Sequence, residues 1–260
     1  VLVSEVMLQQ TQADRVVPYY RSFLERFPTP TVCAAAPAAD VVRLWSGLGY
    51  NRRALNLHRA AQQIAAEFDG VLPMDERLLR TLPGIGPSTA RAVLSFGFGV
   101  DVATVDTNVV RVLSRCVTGG PLSLPEAQAL ADHLLPSGQS WAFNQTMFDV
   151  GATLCVGTNP RCESCPLLGM CQWHKAGLVE PDPWRTSPSV RPQSKFAGSD
   201  RQGRGRLLDV LRFGPVPKDV LAESCGWPDD AVRSTKIAQA LVSEGFAEWV
   251  GSRPVVLRLR

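Results

Sequence analysis

The sequence predicts a mainly α-helical protein: a large helical region over residues 1–175, an extended basic Pro/Ser-rich linker over 176–202, and a small winged-helix-like module over 203–260. Two observations carry this. Apolar residues recur at three- and four-residue spacing through the first 155 positions without a sustained period of two, and residues 176–202 turn abruptly rich in Pro, Ser, Arg and Gly.

The elements follow in order. The opening "VLVSEVML" reads as the middle of a buried helix without its capping residue, so some sequence is expected to precede Val1. It lacks the basic flank and small-residue cleavage site of a signal peptide. "RVVPYYRSFLERF" and "DVVRLWSGLGY" continue the helical pattern, and "ALNLHRAAQQIAAEF" places Leu57, Ala60, Ala61, Ile64, Ala65 and Phe68 on one helical face. Pro and Gly punctuate the chain at 28–30, 37, 70–73 and 119–121. Ser123 with Glu126 predicts a capping box, and "WAFNQTMFDVGATL" a further helix. Beyond the basic stretch, "RGRLLDVLR", "PKDVLAESCG" and "DDAVRSTKIAQALVSEG" predict three helices, and "FAEWVGSRPVVLRLR" a hairpin turning at Gly251-Ser252. That is the order of a winged helix, whose third helix is open to a nucleic-acid groove or to a protein partner.

At 260 residues the chain can bury one large core or two modest ones. Every apolar run is interrupted well before the roughly 20 residues of a membrane span, so no membrane contact is expected; a cytoplasmic, nucleoid-associated monomer is the accompanying expectation. The formal net charge is only +3, but Arg185, Arg191, Lys195, Arg201, Arg204, Arg206 and Arg212 face only Asp200 and Asp209 in the same stretch. Such an excess suits a polyanion, or a solvated linker.

Seven cysteines argue against a complete disulfide framework. Cys33, Cys116 and Cys225 stand singly in apolar surroundings and read as small core residues. Cys155, Cys162, Cys165 and Cys171 instead form a C-x6-C-x2-C-x5-C run. Four thiolates so close in sequence can converge on zinc or on a [4Fe-4S] cluster, and one short pair with longer arms leans towards iron and sulfur.

The stretch "TLPGIGPSTARAV", Thr81 to Val93, predicts a helix-hairpin-helix. Gly84 and Gly86, flanking Ile85, allow backbone shapes a side chain forbids and leave amide N–H groups at the next helix N-terminus. Those amides suit a phosphate, gripping a DNA backbone without reading its sequence; a bare αα-corner is the plainer alternative.

This hairpin, followed by "ATVDTNVVRVLSR" and then the cysteine run, resembles the endonuclease III superfamily of DNA glycosylases. Within it, "SEVMLQQTQ" and "LWSGLGY" are similar to the A/G-specific adenine glycosylases. The resemblance covers roughly residues 1–175. It implies a two-subdomain glycosylase with a cluster-side subdomain of residues 1–10 and 103–175, a six-helix subdomain of residues 11–102, and a [4Fe-4S] cluster on the four cysteines. It implies catalytic roles for Glu5, as the acid, and Asp106, as the carboxylate facing a cationic sugar, after the target base has been flipped out. The local sequence agrees with both roles: Glu5 lies among apolar residues that would raise its pKa, and Asp106 precedes a helix whose dipole favours a charged carboxylate.

By the same resemblance Gln10 is a wedge in the base stack with Gln9 beside it, Leu48 and Tyr50 probe the base opposite adenine, and Asn108 orients Asp106. Ser88 stands where bifunctional relatives carry a lysine that forms a Schiff base; a serine cannot, which predicts a monofunctional enzyme leaving an abasic site. The implied partner is double-stranded DNA with an A:8-oxoguanine or A:G mispair. Departures are Asn51, where many members have a second aromatic, Thr107, where many have glycine, and a short C-terminal module in place of a NUDIX-like domain. A thymine or uracil mismatch glycosylase of the same fold, and a non-catalytic DNA-binding protein, are the alternatives.

Overall fold

A computed structural model describes residues 1–188, 194–252 and 254–260; Arg191, counted in the basic stretch, lies outside them. In chain order the helices are α1 (Leu2–Leu8), α2 (Ala13–Arg26), α3 (Pro30–Ala35), α4 (Ala38–Leu44), α5 (Arg52–Glu67), α6 (Glu76–Leu79) and α7 (Pro87–Ala92). They continue as α8 (Thr107–Leu113), α9 (Leu124–Leu134), α10 (Ser140–Asp149), α11 (Gln172–Lys175), α12 (Asp200–Phe213), α13 (Leu221–Cys225) and α14 (Ala231–Glu244). Strands β1 (Val216–Pro217), β2 (Ala247–Val250) and β3 (Val256–Leu259) all lie in the C-terminal module.

The chain divides into two compact units. One comprises Val1–Leu2, Met74–Arg80 and the described part of Ile85–Gln193; the other comprises Val3–Pro73, Thr81–Gly84 and Ser194–Arg260.

In the first unit α8 is the buried central helix. Val109, Val110, Val112 and Leu113 are all buried against Ala127, Ala131, Met147 and Val150 of the flanking elements, each full burial contributing roughly 1.5–3 kcal/mol for a side chain of Val or Leu size. The helix N-terminus is thereby fixed, and with it Asp106. Helices α7, α8 and α10 each run on into one π-helical turn, over Val93–Gly97, Ser114–Thr118 and Val150–Leu154. Such turns gather at functional sites, and here the second carries Arg115 while the third delivers Cys155. The predicted capping box opens α9, with Ser123 Oγ accepting from the Glu126 N–H and the Glu126 carboxylate accepting from the Ser123 N–H.

In the second unit α5 packs against α3 and α4. Of its predicted apolar face, Leu57, Ala60, Ala61 and Ile64 are buried, while Ala65 and Phe68 are half-buried near the helix end. Trp45 and Phe23 are buried edge to face, 6.4 Å between ring centroids. The helical pattern of "DVVRLWSGLGY" stops at Leu44; the rest is a turn in which Gly47, Gly49 and Tyr50 take left-handed φ of 91°, 73° and 46°.

The C-terminal module runs α12, β1, α13, α14, β2, β3, with sheet order β1-β3-β2 and both pairings antiparallel. The predicted helices and hairpin are present, and a short strand, Val216–Pro217, escaped notice because two residues carry no period. The module is not a unit apart from the helical body. Arg52 and Arg204 both pair with Glu244, and the Ala39 N–H donates to Arg260 O at 2.7 Å.

Val3 to Gln10 group with α2–α5, not with 103–175. The stretch expected as an extended linker is anchored over its first part: Asp182 and Ser187 are buried, and Ser187 Oγ donates to Leu122 O at 2.6 Å. An acid and a tryptophan at 182 and 184 supply fastenings that the surrounding prolines conceal. Part of the positive charge counted from Arg185 to Arg212 is paired internally within α12 and the module, in Arg204–Glu244 and Arg212–Asp209.

Candidate active site and cysteine loop

Asp106 is the N-cap of α8. Its Oδ1 accepts from the Asn108 and Val109 N–H groups at 2.8 and 2.9 Å, and its Oδ2 from Asn108 Nδ2 at 3.1 Å. The cap that fixes the helix also fixes the carboxylate's orientation. Asn108 is itself fixed: its Oδ1 accepts from Arg111 Nη2 at 2.8 Å. Arg111 also donates to Gly151 O at 2.6 Å and to Cys155 O at 2.5 Å, with its guanidinium over the Trp184 ring. Burial lowers the Arg111 pKa, while Cys155, Asp106 and Asp182 oppose that shift. Sequence reasoning missed Arg111, although its place three residues after Asn108, on one helical face, was the available signal.

The four cysteines line one cavity together with Arg115, Leu154, Trp173 and His174. Among the described residues no three His, Cys, Asp or Glu side chains close around a single ion. The donor set, four thiols within one loop, fits an inorganic cluster of iron and sulfide. Arg115, only 1% exposed, frames the loop by donating to Cys155 Sγ at 3.5 Å and to Val156 O at 2.7 Å. Burial raises the Cys155 thiol pKa, and the neighbouring Arg115 and Arg111 work against it. Asp182 holds Arg115 through paired contacts of 3.0 and 2.5 Å, and Trp173 stacks on the guanidinium at 4.9 Å. Burial alone would raise the Asp182 carboxyl, but Arg115 and the Trp184 N–H outweigh it and hold the group below the usual carboxylate range.

In the other unit Glu5 lies half-buried on α1, beside the buried Val6 and Met7. The helix ends in a turn that carries Gln9, half-buried, and Gln10, exposed with a left-handed φ of 60°. Gln9 Nε2 donates to Gly84 O at 3.4 Å, bringing the first of these turns to the hairpin. Tyr50 is 49% exposed, whereas Leu48 is 2% exposed. Leu48 packs into the core where the chain turns after the tight Gly47.

One residue organises this face and sequence reasoning passed over it. Arg53, 7% exposed, donates to Val6 O at 3.1 Å, Met7 O at 2.7 Å, Thr11 Oγ1 at 3.0 Å and Gly49 O at 3.1 Å, and also to Gln9 O. Its guanidinium lies 5.4 Å from the Trp45 ring and 5.5 Å from the Tyr50 ring. Burial brings its pKa down to about 10, with Tyr50 opposing, so the cation persists at neutral pH. A buried charge with this many acceptors ties the α1 turn to the Gly47–Tyr50 turn.

In the hairpin, Gly84 has φ of 80°, and a Cβ there would stand 2.9 Å from the Asn56 side chain. Gly86 caps α7 with Pro87 at the first helical position, and Ile85 is buried, so the side chain serves packing while the backbone is left to the surface. Ser88 O accepts from Thr104 Oγ1 at 2.9 Å, and the two hydroxyls lie 3.5 Å apart.

The chain belongs to the HhH-GPD superfamily of base excision DNA repair proteins, whose family model matches residues 3–129. It is 41% identical over 251 residues to the adenine DNA glycosylase of Mycolicibacterium smegmatis, covering 95% of this chain and 83% of that one. It is 39% identical over 178 residues to the human adenine DNA glycosylase, covering 66% of this chain and 33% of that one. Among solved structures it is similar to a thermostable thymine-DNA glycosylase, with a TM-score of 0.63, 29% identity and coverage of 67% of this chain and 83% of that one. It is also similar to an endonuclease III in a non-covalent DNA complex, with a TM-score of 0.61, 28% identity and coverage of 68% and 84%.

Proposed function

We propose that this protein is a monofunctional DNA glycosylase that removes adenine mispaired with 8-oxoguanine or guanine and leaves an abasic site. The observation that carries the reading is the Asp106 carboxylate, fixed by three N–H donors at the head of a buried helix. The 41% identity to an adenine DNA glycosylase supports the choice of base.

The chemistry follows from the bond to be cut. Adenine is a poor leaving group until it is protonated, and the sugar it leaves becomes cationic. Glu5 gives its proton to adenine N7, the glycosidic electron pair leaves with the base, and Asp106 faces the oxocarbenium-like centre until water adds to the sugar carbon, its surplus proton returning to the Glu5 carboxylate by way of solvent. Asn108 orients Asp106. Gln10 and Gln9 fill the space of the extruded nucleotide, Tyr50 contacts the opposite base, and the Gly84–Gly86 amides hold a phosphate. Ser88 offers no amine, so no imine links enzyme to sugar.

Cys155, Cys162, Cys165 and Cys171 would hold a [4Fe-4S] cluster, which fastens the loop as a structural clasp. Their convergence on one cavity supports this, and so does the placement of Arg115 on the Cys155 sulfur.

The test is an end-labelled duplex series carrying A opposite 8-oxoguanine, A opposite G, T opposite G and U opposite G, read with and without alkali. Cleavage at adenine that requires alkali is expected. Cleavage at thymine or uracil instead moves the protein to the mismatch branch, and binding without cleavage would contradict the enzymatic reading.

A further inference from the structure

The Gly47–Tyr50 turn is held from two directions. Tyr50 adopts a left-handed φ of 46°, which L side chains with a Cβ seldom take and which persists where surrounding contacts over-determine it. From the helical body, Trp45 Nε1 donates to Gly49 O at 3.2 Å, Arg15 donates to Gly47 O, and the Arg53 N–H donates to Tyr50 O at 3.0 Å while its guanidinium faces the ring. From the C-terminal module, Arg212 Nη2 donates to Asn51 Oδ1 at 2.8 Å. Asn51 is one peptide from Tyr50 and is the position at which this chain lacks the second aromatic expected from its resemblance.

Arg212 is built for a fixed reach. It is 9% exposed, Nε donates to Val42 O at 3.1 Å, Asp209 pairs with Nη1, and its own carbonyl accepts from Arg43 Nε at 3.4 Å. The module behind it is fastened to the same helices. Arg204 makes a two-point pair with Glu244 at 2.8 and 2.7 Å, Arg52 joins that carboxylate, and Arg59 donates to the Glu244 carbonyl at 2.6 Å.

We propose that the C-terminal module is a positioning element for opposite-base selection: through the Arg212–Asn51 hydrogen bond it sets the pose of Tyr50. The module thus acts on specificity through Tyr50, and Arg212 and Asn51 are positioning residues. The proposal rests on the reading of Tyr50 as the contact to the base opposite adenine.

The experiment uses the full chain and four variants, Arg212→Met, Asn51→Leu, their double, and Asn51→Asp, which keeps an acceptor for Arg212. Two readouts are taken. Three tyrosines are present, so 3-fluorotyrosine labelling gives a sparse 19F spectrum in which Tyr50 is assigned with Tyr50→Phe. Single-turnover rates of adenine excision opposite 8-oxoguanine and opposite cytosine give a preference ratio. Arg212→Met and Asn51→Leu are expected to shift the Tyr50 resonance and to lower the ratio by about ten-fold, the double to do no more than either, and Asn51→Asp to keep the ratio within about two-fold. An unmoved Tyr50 resonance overturns the brace. So do rates that fall in parallel with the ratio unchanged, and effects that multiply in the double. If the wild type excises no adenine while the resonance still responds to Arg212→Met, the glycosylase reading fails and takes the specificity role with it, but the physical brace stands.

Discussion

Asn108 Oδ1 accepts a hydrogen bond from Arg111 Nη2 at 2.8 Å, and this contact decides which way the rest of the carboxamide points. With its oxygen so occupied, the Asn108 amide nitrogen is left to face Asp106 Oδ2 at 3.1 Å. A side chain that holds the candidate catalytic carboxylate is thus held by an arginine whose other donors reach Gly151 O and Cys155 O. The cysteine loop and the carboxylate share one scaffold.

Replacing Asn108 by Ala removes this orientation while sparing the two backbone donors to Asp106. The expected result is a fall in single-turnover excision of roughly 10–100-fold, the scale found when an orienting partner is lost, with duplex affinity unchanged. Stopped-time assays beside a binding titration separate the two.

Gly151 lies where α10's extension nearly touches α8: a Cβ there would stand 2.8 Å from Asn108 Cβ and 3.2 Å from Asn108 O. Both are groups that cannot swing aside. Gly151→Ala should destabilise by about 1–3 kcal/mol, the usual scale of overpacking, and should slow excision by displacing Asn108. Urea unfolding and the excision rate, measured on one preparation, check both.

The Arg115–Asp182 pair is almost completely buried, with side-chain exposures of 2% and 4%. Removing the acid leaves an uncompensated buried cation, so Asp182→Ala should lose roughly 3–5 kcal/mol. The pH dependence has a definite sign. Asp182 titrates lower folded than unfolded, so its contribution is present above the unfolded pKa of about 4 and is lost as pH falls below it through the folded value. Thermal melting from neutral pH down to acid should show this decline in the wild type and a shallower one in Asp182→Asn.

Ser88 is half-buried, with its carbonyl fixed by Thr104. Borohydride added during turnover should trap no wild-type enzyme on DNA, since a hydroxyl forms no imine. Ser88→Lys should give a trapped covalent adduct. Trapping of the wild type would overturn the monofunctional reading.

Much of this was legible in the sequence where spacing carries the information. The α5 face, the Ser123–Glu126 box, the hairpin glycines and the four cysteines that line one cavity are all local patterns. What spacing does not carry is the identity of a partner far along the chain. Nothing around Arg53, Arg115 or Arg212 announces a buried cation, because the acceptors of Arg53 are mostly backbone carbonyls and Asp182 lies 67 residues beyond Arg115. The same limit applies to the linker, whose composition does not announce the burial of Asp182 and Ser187. The burial of Leu48 is hidden for a different reason: its glycine neighbours allow the chain to turn it inward.

The central claim is that Glu5 and Asp106 carry the chemistry, and the most direct measurement compares single-turnover excision at A opposite 8-oxoguanine by wild type, Glu5→Gln and Asp106→Asn. Asparagine is as good an N-cap as aspartate, so Asp106→Asn keeps the helix start while removing the charge and the acceptor that faces Asn108 Nδ2. Each variant should melt like the wild type and bind an uncleavable duplex as tightly. Each should lose excision by at least about 10²–10³-fold, the scale of one electrostatic stabiliser removed from a transition state. Excision within ten-fold of wild type in either variant would contradict the account.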